Sequence, residues 1–182
     1  MGNEPDALVL QKLLRDHGVF DSVNNALTEY VAVAGKSDVP QADIDSKYQA
    51  VITTTEQACK AIAGTAYDKP DFRIRAARFV LETAASEYAT ATEGDKIEIV
   101  EAGTPGKDNL IEFQDARGFL QAMRETFMTG NAAIHVNADG QAALDKLQND
   151  ILKSLEPPDL NHPVPVSEFK GLIERVSKGL NS

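Results

Sequence analysis

The chain has 182 residues, 42% of them hydrophobic and 25% charged, the proportions of an ordinary globular domain long enough to bury roughly 70% of its unfolded surface without metals or disulfides. Eighteen basic against 28 acidic residues give a net charge of -10, spread evenly along the chain, so a phosphate backbone would be repelled over most of the surface. These figures exclude a metal-stapled miniprotein and argue against a nucleic-acid-binding protein.

Taken in chain order, apolar residues recur at spacings of three and four, the helical period. The first helix is expected from a cap at Asn3, with Pro5 in its first turn and Leu8, Leu10, Leu13 and Leu14 inside it, to a stop at Gly18. A second, capped by Asp21, carries Phe20, Val23, Leu27, Tyr30, Val31 and Ala34 as one stripe up to Gly35. Asp38, Pro40 and Gln41 then resemble a capping box. They open a third helix whose buried side is predicted as Ile44, Tyr48, Val51, Ile52, Thr55, Cys59 and Ile62, ending near Gly64.

The turn Tyr67 to Asp71 starts a fourth helix with Phe72, Ala76, Phe79, Val80, Thr83, Ala84, Tyr88 and Ala91 as its stripe. Residues 96–108 alternate and then turn, which predicts a short extended or hairpin insertion. Asn109 and Glu112 have capping-box spacing before a fifth helix with Leu110, Phe113, Ala116, Phe119, Leu120, Met123 and Phe127. Asp139 or Asn137 caps the next helix, which carries Leu144, Leu147, Ile151, Leu152 and Leu155. Residues 157–166 form a proline-rich linker, and Ser167 opens the last helix, with Phe169, Leu172, Ile173, Val176 and Leu180. The pattern predicts an all-α bundle of about six or seven helices in a single domain spanning 1–182.

Motifs that would carry chemistry fail on spacing. The zinc motif HExxH is absent, and His17, His135 and His162 are scattered over helix ends and loops. The run His135 to Gly140 imitates a calcium loop, but His135 and Lys146 stand where acidic ligands are required. Gly103, Gly106 and Lys107 lack phosphate-loop spacing. Carboxylates remain: Glu82 and Glu87 on one helix, with Glu112 and Asp115 on the next, would bind iron or another divalent metal if all faced inward. The bland reading pairs Arg78 with Glu82 one helical turn away and leaves Arg73, Arg75 and Arg78 on a solvated face. Cys59, the single cysteine, cannot form an intrachain disulfide and is expected as a buried, inert thiol.

Ser86-Glu87-Tyr88, Ala91, Lys96-Ile97 and then Glu112-Phe113-Gln114-Asp115-Ala116-Arg117-Gly118-Phe119 resemble the soluble helical extension of bacterial Ftr-type iron permeases and related exported helical proteins. The resemblance implies an exported, periplasmic, all-helical domain attached to iron or metal uptake. The iron motif of those permeases, RExxE, finds only Arg124-Glu125 here, with Met128 at the closing position, so their mode of iron binding is not carried over.

The expected function is therefore a nonenzymatic binding or accessory domain linked to metal uptake. The alternatives are a carboxylate-bridged metal-binding or oxidase bundle, and a cytosolic interaction module that docks a protein partner through its last helix. No run of about 18 apolar residues predicts membrane insertion. A periplasmic or exported location requires a signal peptide upstream; without one the chain would be cytoplasmic.

Overall fold

The structure is a computed structural model that describes residues 5–92, 109–129, 133–149 and 163–181. The predicted insertion at 96–108, the end of the helix through Ile151, Leu152 and Leu155, and most of the linker lie outside the described residues. Seven α-helices and one two-stranded sheet are described, so the fold is all-α as the spacing predicts. Where the sequence reads as one bundle, the contacts sort into two compact units, Met1–Tyr67 and Asp68–Ser182.

The N-terminal unit holds α1 (Pro5–Asp16), α2 (Phe20–Val33) and α3 (Gln41–Ala63), followed by a single 3-10 turn, Gly64–Ala66. Gly18 and Gly35 sit just past the ends of α1 and α2 with φ of 67° and 82°, a region that costs other residues about 1 kcal/mol or more. The expected caps of α2 and α3 are not used, and Asn3, expected to cap α1, lies outside the described residues. Val19 and Pro40 occupy the cap positions of α2 and α3 with no side-chain hydrogen bond, and Gln41 donates instead to Asp45 at 2.8 Å.

The short connection between α2 and α3 makes them an antiparallel hairpin. Their seam is half-buried Val23, Ala26, Tyr30 and Val33 against Ile44, Lys47, Val51, Thr54 and buried Ala58, an alternation of three and four that keeps one stripe facing a partner helix. Tyr30 and Tyr48 bring their rings to 5.8 Å, and Lys47 pairs with Glu29 at 2.7 Å. Between α1 and α2, the Arg15 guanidinium lies 3.8 Å over the Phe20 ring.

The C-terminal unit holds α4 (Pro70–Ala91), α5 (Asn109–Ala122), which runs on as a π-helix over Met123–Phe127, then β1 (His135–Val136), α6 (Ala138–Leu147), α7 (Val166–Gly179) and β2 (Leu180–Asn181). Its core takes Ile74, Ala77, Leu81, Ala84, Tyr88 and Ala91 from α4, and Phe113, Ala116, Leu120 and Met123 from α5 and the π-helix. Opposite them stand Ala143, Leu144 and Leu147 from α6, and Phe169, Leu172, Ile173 and Val176 from α7. The stripe on α4 is thus rotated from the expected one: Phe79 is 70% exposed, while Leu81 is fully buried.

The rings of Tyr88 and Phe169 stack at 4.0 Å and 11°, and the Tyr88 hydroxyl donates to the Val164 carbonyl at 2.7 Å. Burial pushes that phenol far above its ordinary pKa, so it stays a donor at any physiological pH. All five predicted apolar positions of the last helix are buried in this unit. The face offered for a partner through that helix is therefore occupied by α4 and α6.

The α6 and α7 helices cross at Gly140 and Gly179. A Cβ on Gly140 would stand 3.2 Å from the Gly179 Cα, and one on Gly179 would stand 2.7 Å from Asn137 Oδ1. That approach lets the Asn137 amide donate to the Gly179 carbonyl at 2.9 Å and lets β1 pair antiparallel with β2, His135 opposite Asn181. Asn137 is the cap of α6, its Oδ1 accepting from the Gly140 amide at 2.8 Å.

Candidate functional site

The four carboxylates singled out as metal ligands come from α4 and α5 but do not form a centre. Glu82 is exposed on α4, Glu87 is half-buried one and a half turns on, Glu112 is half-buried in the first turn of α5, and Asp115 is exposed. Glu112 acts on Asp115: partial desolvation, then the Glu112 charge, raises the Asp115 pKa. Among the described residues no three His, Cys, Asp or Glu side chains gather around a point that would hold a metal ion.

Glu82 instead lines an open groove of about 340 Å³ with Ala85 and Ser86 of α4 and Lys170, Ile173, Glu174 and Ser177 of α7. The floor is apolar and the rim carries both signs of charge. The expected Arg78–Glu82 pair is replaced by a cross-helix contact, Arg78 Nε donating to the Ser177 carbonyl at 3.4 Å.

Arg73 corrects the reading of a solvated arginine face, because only 6% of it is exposed. Its Nη2 donates to the Thr126 carbonyl at 2.7 Å and its guanidinium lies 5.5 Å over the Phe127 ring. A cation set against the last carbonyls of a helix is favoured by their partial negative charge. Nε of Arg73 has no hydrogen-bond partner among the described residues.

The calcium-like run is used structurally: Asn137 is the cap, and Lys146 pairs with Glu168 at 2.6 Å. Asp139 is gripped by both prongs of Arg175, with Nε donating to Oδ2 at 3.1 Å. Hydrogen bonding and charge from Arg175 hold the Asp139 carboxyl below its ordinary pKa. A carboxylate with a depressed folded pKa adds stability that is complete above the ordinary Asp range and is lost as pH falls through the depressed value. Asp139→Asn should therefore lower the urea midpoint at pH 7, and the gap from the parent should close as pH falls toward 3. A gap unchanged with pH would show that the pair contributes nothing through charge.

Cys59 is exposed, contrary to the expectation of a buried thiol. The buried line of α3 runs through Thr54 and Ala58, and Cys59 falls one position beyond it. Desolvation by its neighbours and the nearby Glu56 charge raise its pKa, which disfavours the reactive thiolate.

The largest departure from expectation lies on the N-terminal unit. Leu8, Val9, Leu10, Leu13, Leu27, Val31, Tyr48 and Ile52 are all exposed, from 37% for Leu13 and Tyr48 to 69% for Val31. Within that unit Ala58 is the only buried hydrophobic among the described residues. Exposed apolar side chains are ordinary when single, but grouped they mark an interaction surface.

Of the residues that carry the permease resemblance, Tyr88, Ala91, Phe113 and Ala116 are buried in the core, the other described ones are half-buried or exposed, and Lys96 and Ile97 lie outside the described residues. No described helix is long and apolar enough to cross a membrane. In comparison with known proteins, the chain matches no family model, no curated protein and no solved structure.

Proposed function

We propose that this chain is a nonenzymatic binding or accessory protein that acts through protein–protein contact. The C-terminal unit is its stable scaffold and the N-terminal helices are its contact element. The observation that supports this reading is the row of large apolar side chains on α1, α2 and α3 left open to solvent. Burying the surface each side chain still exposes gains about 0.6–2 kcal/mol, so covering several of them favours association. The metal-centre alternative draws no support from Glu82, Glu87, Glu112 and Asp115, no three of which gather around one point.

A photoreactive side chain placed at Val31 or at Ile52, in the full chain and in the cells that make it, tests the reading. Adducts of higher mass are expected at both positions and not at exposed Asp145 on α6, which serves as the control. Equal labelling at all three positions, or none, would overturn it.

A further inference from the structure

The groove between α4 and α7 lies wholly within the C-terminal unit, and the two helices that wall it run antiparallel, since Arg78 meets Ser177 while Tyr88 meets Phe169. That register sets Glu82 level with Glu174 across the groove and Ser86 level with Lys170 one helical turn further on, over a floor of Ala85 and Ile173. One end of the groove thus holds two carboxylates, and the other an ammonium and a hydroxyl. Glu82 and Lys170 have no ion-pair partner among the described residues. Glu174 keeps an exposed pair with Lys178 at 3.3 Å, a weak contact that yields readily to a better one.

We propose that this groove binds a short zwitterion of dipeptide size, its ammonium held between Glu82 and Glu174 and its carboxylate taken by Lys170 and Ser86. The two ends of opposite charge are one helical turn, about 5–6 Å, apart along the groove. The ammonium and carboxylate of a single α-amino acid are too close together to reach both. The ends of an extended dipeptide, about 6 Å apart, match the spacing.

Successive side chains of an extended peptide point to opposite sides, so one of the two rests on Ala85 and Ile173 while the other faces water. The groove volume of about 340 Å³ accommodates two small residues. A simple cation would also meet Lys170, and a simple anion would meet Glu82 and Glu174, so the arrangement disfavours both. This site belongs to the scaffold unit and goes beyond the contact reading of the N-terminal helices; either can fail without the other.

The test is a titration of the isotopically labelled full chain with L-alanyl-L-leucine, followed through the backbone amide signals. Those of residues 82–86 and 170–177 should shift saturably with a Kd of about 1 mM, as expected for a ligand of this size. The N-acetylated dipeptide, which lacks the cation, and the C-amidated one, which lacks the anion, should each bind about threefold more weakly or worse. Glu82→Gln should weaken the free dipeptide to the same extent yet leave binding of the acetylated form unaffected, and Lys170→Gln should do the same with the amidated form. Both positions are exposed, so unchanged amide signals elsewhere will show that the fold is retained. No saturable shift up to about 20 mM overturns the proposal, as do shifts centred outside the groove. A dipeptide that binds equally well after amidation reports attraction of a cation alone and overturns it too. Adducts at Val31 and Ile52 decide the contact reading separately.

Discussion

Phe169→Ala should lower the stability of the C-terminal unit by about 3–5 kcal/mol, measured as the shift of its urea unfolding transition. The ring is fully buried and stacks on Tyr88, whose other ring contact is Phe113 at 6.2 Å, so the substitution removes the side chain that joins α7 to α4 and leaves a void between them. Aromatic pairing adds about 0.5–1.5 kcal/mol to the area term, which places this site at the upper end of the range. Phe169→Leu fills most of that volume and should cost less than half as much. If alanine cost under 1 kcal/mol, α7 would not be held by the face described.

Gly179→Ala should cost about 1–3 kcal/mol from overpacking, with about 1 kcal/mol more if the α6 cap is lost. The added methyl would meet Asn137 Oδ1 at 2.7 Å and the Gly140 Cα at 3.1 Å. The second neighbour is backbone and cannot swing away; the first is the atom that caps α6. Relief therefore requires either the helices to separate or the cap to rotate out, and both also strain the β1–β2 pairing. Gly118→Ala is the matched control. That glycine lies within α5 with nothing within 4 Å of the added carbon, so the change should be neutral or stabilising by up to about 1 kcal/mol. Equal effects at the two glycines would remove the close crossing as an explanation.

Much of the architecture is legible in the amino-acid order because amphipathic spacing is a local property. The last helix is the clearest case: one row of Phe169, Leu172, Ile173, Val176 and Leu180 admits a single buried side, and all five are buried. On α4 the pattern is degenerate. Phe72, Phe79 and Val80 compete with Ile74 and Leu81 among many alanines, and only the neighbouring helices decide which row turns inward. On α2 and α3 the apolar band is wider than one seam. Spacing alone merges Leu27, Val31, Tyr48 and Ile52 with the buried side, whereas the hairpin separates them from it.

The remaining differences are non-local in origin. The burial of Arg73 depends on a π-turn 53 residues away, and pairing of two-residue strands at 135–136 and 180–181 leaves no period to read. Asn137 outcompetes Asp139 as the α6 cap because Arg175 across the bundle holds the aspartate. The candidate carboxylates could be counted from the sequence, but whether they converge is a question of helix phase. The groove at Glu82 and Lys170 joins residues about ninety positions apart and has no local signal.

Among the described residues, nineteen of the twenty buried hydrophobic ones belong to the C-terminal unit, and this imbalance bears on any thermal experiment. A cooperative heat-absorption peak would report on residues 68–182, while the first three helices, with little enthalpy of their own to release, would lose order gradually at lower temperature. A single Tm would then describe the scaffold and be silent about the element that makes contact. Calorimetric and van't Hoff enthalpies would disagree for the whole chain, and the disagreement would shrink once the N-terminal helices are covered.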